Sequence, residues 1–217
     1  MRCVSDLSKV SRSVRRRLAR LRIVLVSCPR SDSYRRNATV TWAVIELDNL
    51  IINLQREFLV SSLMGCRTAS GHRVSHRTPN KSQNEAAHFI IQTLEPNRYR
   101  NHFTPGISLS RREETVLRDP AKIMQVATAA GLTNTNSIVS ALSLSTSIFR
   151  DLSKARHFFA HRNLQTAAKV DMLSNSRGLP TGIETWLVVD TLLPGYPYTL
   201  LDEWIYDLEQ FHPLLTN

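Results

Sequence analysis

The sequence predicts an all-α protein, an up-and-down helical bundle of four to five main helices with additional short helices and a basic N-terminal arm. Three observations support this prediction. Apolar residues recur at three- and four-residue steps through much of the chain, as on one face of a helix. Helix start and stop signals, such as Asp119-Pro120 and Gly131, delimit several of these stretches. The β-prone run at 185–189 would have no second strand to pair with.

The composition is that of an ordinary folded protein. With 217 residues, 42% of them hydrophobic and 21% charged, the chain can bury a core, so long-range disorder is not expected. Three cysteines without a C-x-x-C pair favour a reducing compartment over a disulfide framework, and we expect a cytoplasmic protein. No apolar run approaches the roughly 18 residues of a transmembrane helix, so we predict no membrane partner.

The net charge of +10 is unevenly distributed. Residues 1–36 hold eleven Arg or Lys against two Asp, whereas residues 178–217 hold six Asp or Glu and neither Arg nor Lys. We therefore divide the chain into a basic N-terminal arm (1–38), a helical bundle (39–177) and an acidic C-terminal helical segment packed on the bundle (178–217). Three interpretations of the arm stay open: a solvated arm that touches nucleic acid, a poorly ordered extension, and a targeting peptide.

Two helices are predicted in the first half of the chain. The apolar pattern from Thr39 to Leu63 predicts a long amphipathic helix. The capping-box spacing Ser82-x-x-Glu85 begins a second helix, which ends before Pro96. The stretch from Asn97 to Arg118 mixes arginines with aromatic residues. We interpret it either as a long surface loop with one short helix or as a segment that binds backbone phosphates and stacks bases.

The turn-rich stretch between these helices, Gly65 to Lys81, predicts a loop. Its Cys66, His72 and His76 match half of a zinc site, because H-x3-H is a permitted ligand spacing. Structural zinc usually takes four ligands, and no second pair follows at a matching spacing. We therefore expect ordinary loop histidines, no metal and no cofactor.

The second half of the chain predicts further helical segments. Asp119-Pro120 starts a helix that Gly131 ends. The segments that follow are an unbroken helix from Asn136 or Ser137 to about Asn163, a helical continuation from Leu164 to Asn175, an ambiguous segment at 183–193 for which helix is slightly favoured over strand, and a final amphipathic helix from Leu200 to Phe211.

Chemically versatile side chains concentrate near the predicted C-terminal end of the unbroken helix. His157 and His161 share a helix face, whereas Arg156 and His161 lie about 140° apart around the helix and can flank a groove. A guanidinium can bind phosphate oxygens bidentately, and an imidazole can deprotonate a ribose 2′-hydroxyl or protonate a leaving oxygen near neutral pH. One helix presents few such groups, so a two-fold dimer would help to assemble a full site.

The segment Arg156-His157-Phe158-Phe159-Ala160-His161 resembles the R-x4-6-H motif of the HEPN superfamily, in which the residue after the arginine is typically polar. The Asp119-Pro120 helix, Gly131-Leu132 and the motif helix resemble the smaller RiboL-PSP-HEPN type. This resemblance implies an all-α bundle and a metal-independent endoribonuclease, often a toxin or phage-defence effector, that acts as a homodimer with its cleft at the two-fold axis. By position, Arg156 and His161 would be catalytic and His157 the polar accessory.

We expect RNA, a second copy of the chain, and an antitoxin or other regulatory protein as partners. The side chains expected to bind RNA are Arg162, Arg150, Lys154, Arg111 and Arg112. Two alternatives stay open: a non-catalytic HEPN-like module that binds RNA or protein, and a purely structural helical protein. In the structural alternative, Arg156 and the two histidines only cap the helix C-terminus, where cations are favoured by the helix dipole.

Overall fold

A computed structural model describes residues 6–77 and 82–217, and these residues form helices and loops with no β-strand beyond two isolated bridges. The predicted all-α class is therefore confirmed. The α-helices of the described residues are α1 (Leu7–Ser27), α2 (Ser33–Leu63), α3 (Gln83–Leu94), α4 (Pro96–His102), α5 (Ala121–Ala130), α6 (Thr135–Leu142), α7 (Ile148–His161), α8 (Leu164–Ser176) and α9 (Leu200–Thr216). A 3₁₀-helix, η1 (Thr185–Val189), precedes α9.

Mutual packing groups the chain into two compact units. The first unit comprises the residues up to Val14, Ile51–Leu144 and Phe211–Asn217, and it contains α3 to α6. The second unit comprises Arg15–Leu50 and Ser145–Gln210, and it contains α7, α8 and η1. Helices α1, α2 and α9 contribute residues to both units. The three-part division by charge stays a prediction, because it rests on composition and not on packing.

Most of the basic N-terminal stretch forms the packed helix α1. The apolar residues of α1 recur at three- and four-residue steps and are buried: Leu7, Val10, Val14, Leu18, Leu21 and Leu25. Burying one apolar side chain contributes about 1.5–3 kcal/mol, so this stripe holds the helix in the fold while the arginines cover its other sides. The interpretation of a solvated or poorly ordered arm is therefore corrected for residues 7–27.

The predicted helix caps of the first unit are confirmed. The Ser82 hydroxyl accepts a hydrogen bond from the backbone N–H of Glu85 at 3.1 Å, at the start of α3. The Asp119 carboxylate accepts one from the N–H of Ala121 at 2.9 Å, although α5 begins at Ala121, one residue later than predicted, with Pro120 at the N-cap position. Helix α5 ends at Gly131, whose φ of 63° lies in the left-handed region that glycine adopts without steric cost.

The two segments of the first unit that the sequence predicts as loops are mostly irregular where the structure describes them. The chain from Gly65 to Arg77 contains turns and one isolated bridge, and residues 78–81 lie outside the described residues. After α3, the short helix α4 is followed by a loop at 103–120, which fits the interpretation of a surface loop with one short helix.

The predicted unbroken helix from residue 136 to residue 163 is wrong, because α6 ends at Leu142 and α7 begins at Ile148. The break contains a serine-rich run whose side chains and backbone form other hydrogen bonds. The Ser143 hydroxyl donates to a backbone carbonyl at 2.8 Å, and such local bonds compete with helix formation. In the second unit, Asp207 of α9 accepts hydrogen bonds from the N–H groups of Ser147 and Ile148 at 2.8 and 3.1 Å, which caps α7 from a distant helix.

The first half of α2 is contacted on opposite sides by two helices of the second unit. Arg17 of α1 donates to Glu46 at 2.8 Å, and Arg156 of α7 forms an ion pair with Asp48 at 3.5 Å. Two residues along a helix correspond to a rotation of about 200°, so Glu46 and Asp48 point in nearly opposite directions. Helices α1 and α7 therefore lie on opposite sides of α2.

A buried ion pair fixes the segment that follows η1. Arg36 donates from Nε to Asp190 at 2.7 Å and from Nη2 to the other carboxylate oxygen at 2.5 Å. Its Nη1 donates to the backbone carbonyls of Leu25 and Cys28. Only 7% of the Arg36 side chain and 3% of the Asp190 side chain are exposed. The segment at 183–193, for which helix is slightly favoured by its sequence, forms the 3₁₀-helix η1 at its centre.

Candidate functional site

The candidate site lies on the last two turns of α7. This helix forms because Ile148, Leu152, Ala155 and Phe159 place an apolar stripe at three- and four-residue steps, and all four residues are buried. Apart from Asp151, which is buried, the polar side chains of the helix lie on its other faces. The motif thus lies at the C-terminal end of a helix, as predicted, although this helix has 14 residues and is shorter than expected.

The two imidazoles of the motif lie side by side. His157 and His161 are both exposed, and their ring centroids are 6.2 Å apart with an angle of 61° between the planes. The prediction that they share a helix face is therefore confirmed. A substrate could contact both rings from solvent without a change in the backbone.

The Arg156 guanidinium is held by a carboxylate that the sequence motif does not include. Its Nε lies 3.5 Å from Oδ2 of Asp48, whose side chain is 5% exposed while that of Arg156 is 31% exposed. Asp48 is three or four residues from the buried Val44 and Ile51, so it lies within the apolar stripe of α2. A carboxylate in an apolar stripe is the signal that could have identified it, because buried charges are normally paired.

Arg162 ends α7 in an unusual backbone conformation. Its φ is 44°, the only positive φ of a non-glycine residue among the described residues. Its Nη2 donates to Thr41 Oγ1 at 3.0 Å and to Asn37 Oδ1 at 3.3 Å. Since Arg156 pairs with Asp48 further along α2, the two helices run antiparallel where they meet.

Two of the predicted RNA-binding residues surround a buried carboxylate at the other end of α7. Arg150 and Lys154 bind Asp151 at 3.0 and 3.3 Å, and Arg177 of α8 binds it at 2.9 Å. Burial raises the pKa of Asp151, but the hydrogen bonds from Arg150, Arg177 and Lys154 outweigh this effect, so its pKa is lowered. The carboxylate of Asp151 partly neutralises the charge of these side chains, so their observed role is to stabilise the fold.

The other two predicted RNA-binding residues, Arg111 and Arg112, belong to the first unit. Arg111 donates to Glu114 at 2.5 Å and to Asn53 at 2.8 Å, so its guanidinium is engaged within that unit. Arg112 is exposed. The structure therefore brings Arg162 together with the motif and assigns these two arginines to a different unit.

An open groove of about 600 Å³ adjoins the motif at the junction of α7 and α8. Helix α8 starts with a reciprocal cap, in which Asn163 Oδ1 accepts from the N–H of Thr166 at 2.9 Å and Thr166 Oγ1 accepts from the N–H of Asn163 at 3.3 Å. Leu164, the first residue of α8, is 90% exposed. The residues that line the groove are Phe158, Arg162, Asn163, Leu164, Gln165 and Ala167.

Two of the three residues that match half of a zinc site, Cys66 and His72, have surroundings that do not favour a metal. Burial raises the pKa of the Cys66 thiol to about 11, which disfavours the thiolate that binds zinc. His72 Nδ1 lies 3.0 Å from the Ser70 hydroxyl. Within residues 6–77 and 82–217, no group of three or more His, Cys, Asp or Glu side chains is placed to hold a metal ion.

Two arginines of the basic α1 are committed to ion pairs within the second unit. Arg17 pairs with Glu46, and Arg22 binds both carboxylate oxygens of Glu209 at 2.8 Å. Because α1 and α7 contact opposite sides of α2, the positive charge of α1 does not surround the motif. The high net charge of the chain therefore says little about the charge at the candidate site.

Comparisons with known proteins add no family assignment. A scan against protein-family models finds no match, and searches of curated proteins and of solved structures find none either. In the described part of the chain, no helix combines the length and the apolar character needed to cross a membrane.

Proposed function

We propose that this protein is a metal-independent endoribonuclease of HEPN type. The observation that carries the proposal is the composition of the last two turns of α7, where Asp48 holds the Arg156 guanidinium and the imidazoles of His157 and His161 form an exposed pair. A guanidinium stabilises the negative charge that grows on a phosphodiester during attack, and imidazoles exchange protons near neutral pH.

In the proposed reaction, a ribose 2′-oxygen attacks the adjacent phosphorus atom while an imidazole takes the 2′-hydroxyl proton. The bond from phosphorus to the 5′-oxygen breaks, and a protonated imidazole gives this oxygen a proton. The products are a 2′,3′-cyclic phosphate and a 5′-hydroxyl, so atoms and protons balance without a metal. His161 is one of the proton-transfer groups, His157 assists it, and Arg156 binds the phosphate oxygens.

A homodimer completes the proposed site. Arg156 and His161 lie about 140° apart around α7, so one helix presents them on different sides of a groove. A two-fold axis beside the motif would add the same residues from a second copy and surround one phosphate with both sets. We further propose that the enzyme acts in the cytoplasm as a toxin or phage-defence effector under the control of an antitoxin or other regulatory protein.

The test is an RNA-cleavage assay in the presence of a chelator. His161→Ala and Arg156→Ala are each expected to lower the rate about 100-fold or more, because loss of acid–base catalysis or of transition-state charge stabilisation has effects of this size. His102→Ala removes an exposed histidine of the first unit and serves as the matched control. Circular dichroism should show unchanged helix content in all three variants. Undiminished cleavage by either motif variant, or cleavage that stops when the chelator is added, would refute the proposal.

A non-catalytic RNA-binding module is the second candidate, and the exposed side of α1 favours it. Arg15, Arg16 and Arg20 are exposed and form no ion pair within the described residues. Deleting the whole stretch would remove buried core residues, so substitution by Gln is the cleaner test. Each lost phosphate contact should reduce the slope of log affinity against log salt concentration by about 0.7. Salt-dependent binding without cleavage under any condition would favour this candidate over the nuclease.

A further inference from the structure

The open groove beside the motif combines exposed apolar side chains with hydrogen-bond donors. We infer that it binds one unstacked base of a single-stranded RNA, next to the phosphate held by Arg156 and the imidazoles. This inference rests on the proposed function and names the form of RNA that the enzyme takes. It assigns binding roles to Phe158, Arg162 and Leu164.

The apolar side of the groove offers surfaces for stacking. Leu164 is 90% exposed although it is a large aliphatic residue, and Phe158 is partly exposed on the neighbouring helix. Single exposed aliphatic residues are common, but this one lies in a groove with an aromatic ring. Aromatic rings stack on the faces of unpaired nucleobases, and other apolar side chains pack against such bases in binding pockets.

The polar side of the groove offers hydrogen-bond donors. Arg162 uses Nη2 to bind Thr41 and Asn37, and within the described residues its Nε and Nη1 donate no hydrogen bond. The bonds to α2 hold the guanidinium in place, so its remaining donors are oriented before a ligand arrives. Gln165 adds an exposed amide that can donate to or accept from a base edge.

The groove lies within one helical turn of the imidazoles along the chain. Phe158 lies one turn before His161 in α7, and Arg162 follows His161 directly. A nucleotide whose phosphate contacts the imidazoles would therefore place its own base or the next one over the groove. The volume of about 600 Å³ lies within the range typical of small-ligand sites, roughly 300–1,000 Å³.

Single-stranded RNA is the form that such a groove can accept. In a duplex each base is stacked on both faces and its Watson–Crick edge is paired, so it cannot enter a groove on a protein surface. A loop, a bulge or a free end presents bases that can turn outward. The same RNA annealed to its complement should therefore bind more weakly than the free strand.

The test measures binding of a short single-stranded RNA that carries 2-aminopurine, with His161→Ala as the background so that the RNA is not cleaved. Leu164→Ala should weaken binding about tenfold, the effect expected when one stacking surface is lost. Leu164→Tyr should restore or tighten binding, because an aromatic ring stacks better. Met172→Ala is the matched control, since Met172 is 70% exposed on the same helix but lies outside the groove.

The outcomes separate this inference from the proposed function. One outcome contradicts the base site alone: the wild-type protein cleaves RNA, but Leu164→Ala and Leu164→Tyr, made in the His161→Ala background, leave the affinity for RNA unchanged. The proposed nuclease activity is then retained. If duplex and single strand bind equally, the base site is also wrong. If the background variant binds no RNA and the wild type cleaves none, both proposals fall together. Because Leu164 is exposed, its variants should fold normally, and thermal unfolding checks this.

Discussion

Replacing Asp190 by alanine should destabilise the protein more than most single substitutions. The change leaves the Arg36 guanidinium buried without its counter-ion, because the side chain is only 7% exposed. Nε and Nη2 lose their acceptors, while Nη1 keeps the carbonyls of Leu25 and Cys28. Two of the three donor nitrogens are therefore left without partners in a site that excludes water.

The expected cost is about 3–5 kcal/mol, the range observed when one partner of a buried ion pair is removed. For a chain of this length, each kcal/mol corresponds to about 2–4 °C in Tm, so Tm should fall by about 6–20 °C. The pair as a whole contributes much less than this cost, because both charges lost their water on burial. Replacing both partners, as in Arg36→Met with Asp190→Leu, should therefore recover much of the loss.

Urea unfolding followed by circular dichroism measures this effect. The matched control is Arg35→Ala, which removes the neighbouring arginine, 72% exposed and 3.8 Å from Asp32; it should cost about 0–1 kcal/mol. A loss below 1 kcal/mol for Asp190→Ala, or equal losses for Asp190→Ala and Arg35→Ala, would show that the pair is not buried as described.

Two further predictions concern helix ends. Burial raises the pKa of the Asp207 carboxyl, so the folded protein binds the proton more tightly than the unfolded chain. The free energy of unfolding should therefore fall as pH rises from about 4, the pKa in the unfolded chain, through the higher pKa of the folded protein. Asp207→Asn keeps a side-chain acceptor for the N-terminus of α7 but cannot ionise. Urea unfolding at several pH values should therefore show that the variant becomes more stable relative to the wild type as pH increases. A difference in stability that does not change with pH contradicts this prediction. Gly131→Ala should cost about 1–2 kcal/mol in urea unfolding because φ is 63°, and the Arg77 side chain must also move, since an added Cβ would lie 2.9 Å from its Cδ. Gly131→Asn should cost less, and equal losses would count against strain as the cause.

Helices whose signals are local could be predicted from the sequence. The caps at Ser82 and Asp119 and the stop at Gly131 depend on neighbours within a few residues, and each was found. The break before α7 was missed because Asp207, which caps that helix, lies 60 residues further along the chain. Periodicity continues across such a break, so the pattern alone predicted one long helix.

In the candidate site as well, contacts between residues close in sequence could be predicted and contacts between distant residues could not. Arg156, His157 and His161 lie on one helix, so their spacing alone is enough to place the two imidazoles on one face. Asp48, which pairs with Arg156, belongs to α2 and is more than 100 residues away in the sequence. Its position within an apolar stripe is the only sequence signal that this carboxylate is buried and paired. In α1 the apolar residues recur at helical spacing among the arginines, but whether that stripe is packed or solvated depends on contacts with distant parts of the chain.

The contacts that anchor Arg156 of α7 and Arg162, which directly follows this helix, to one stripe of α2 limit how this protein can change in evolution. Thr41 and Asp48 are seven residues apart, which is two turns and about 10 Å along the helix. Substitutions on the far side of α2 leave this spacing intact. The insertion or deletion of one residue between Thr41 and Asp48 would rotate one anchor by about 100° relative to the other, so both arginines could no longer be held at once. Homologous chains that keep the motif should therefore keep the number of residues between Thr41 and Asp48, whereas the types of the residues between them can vary.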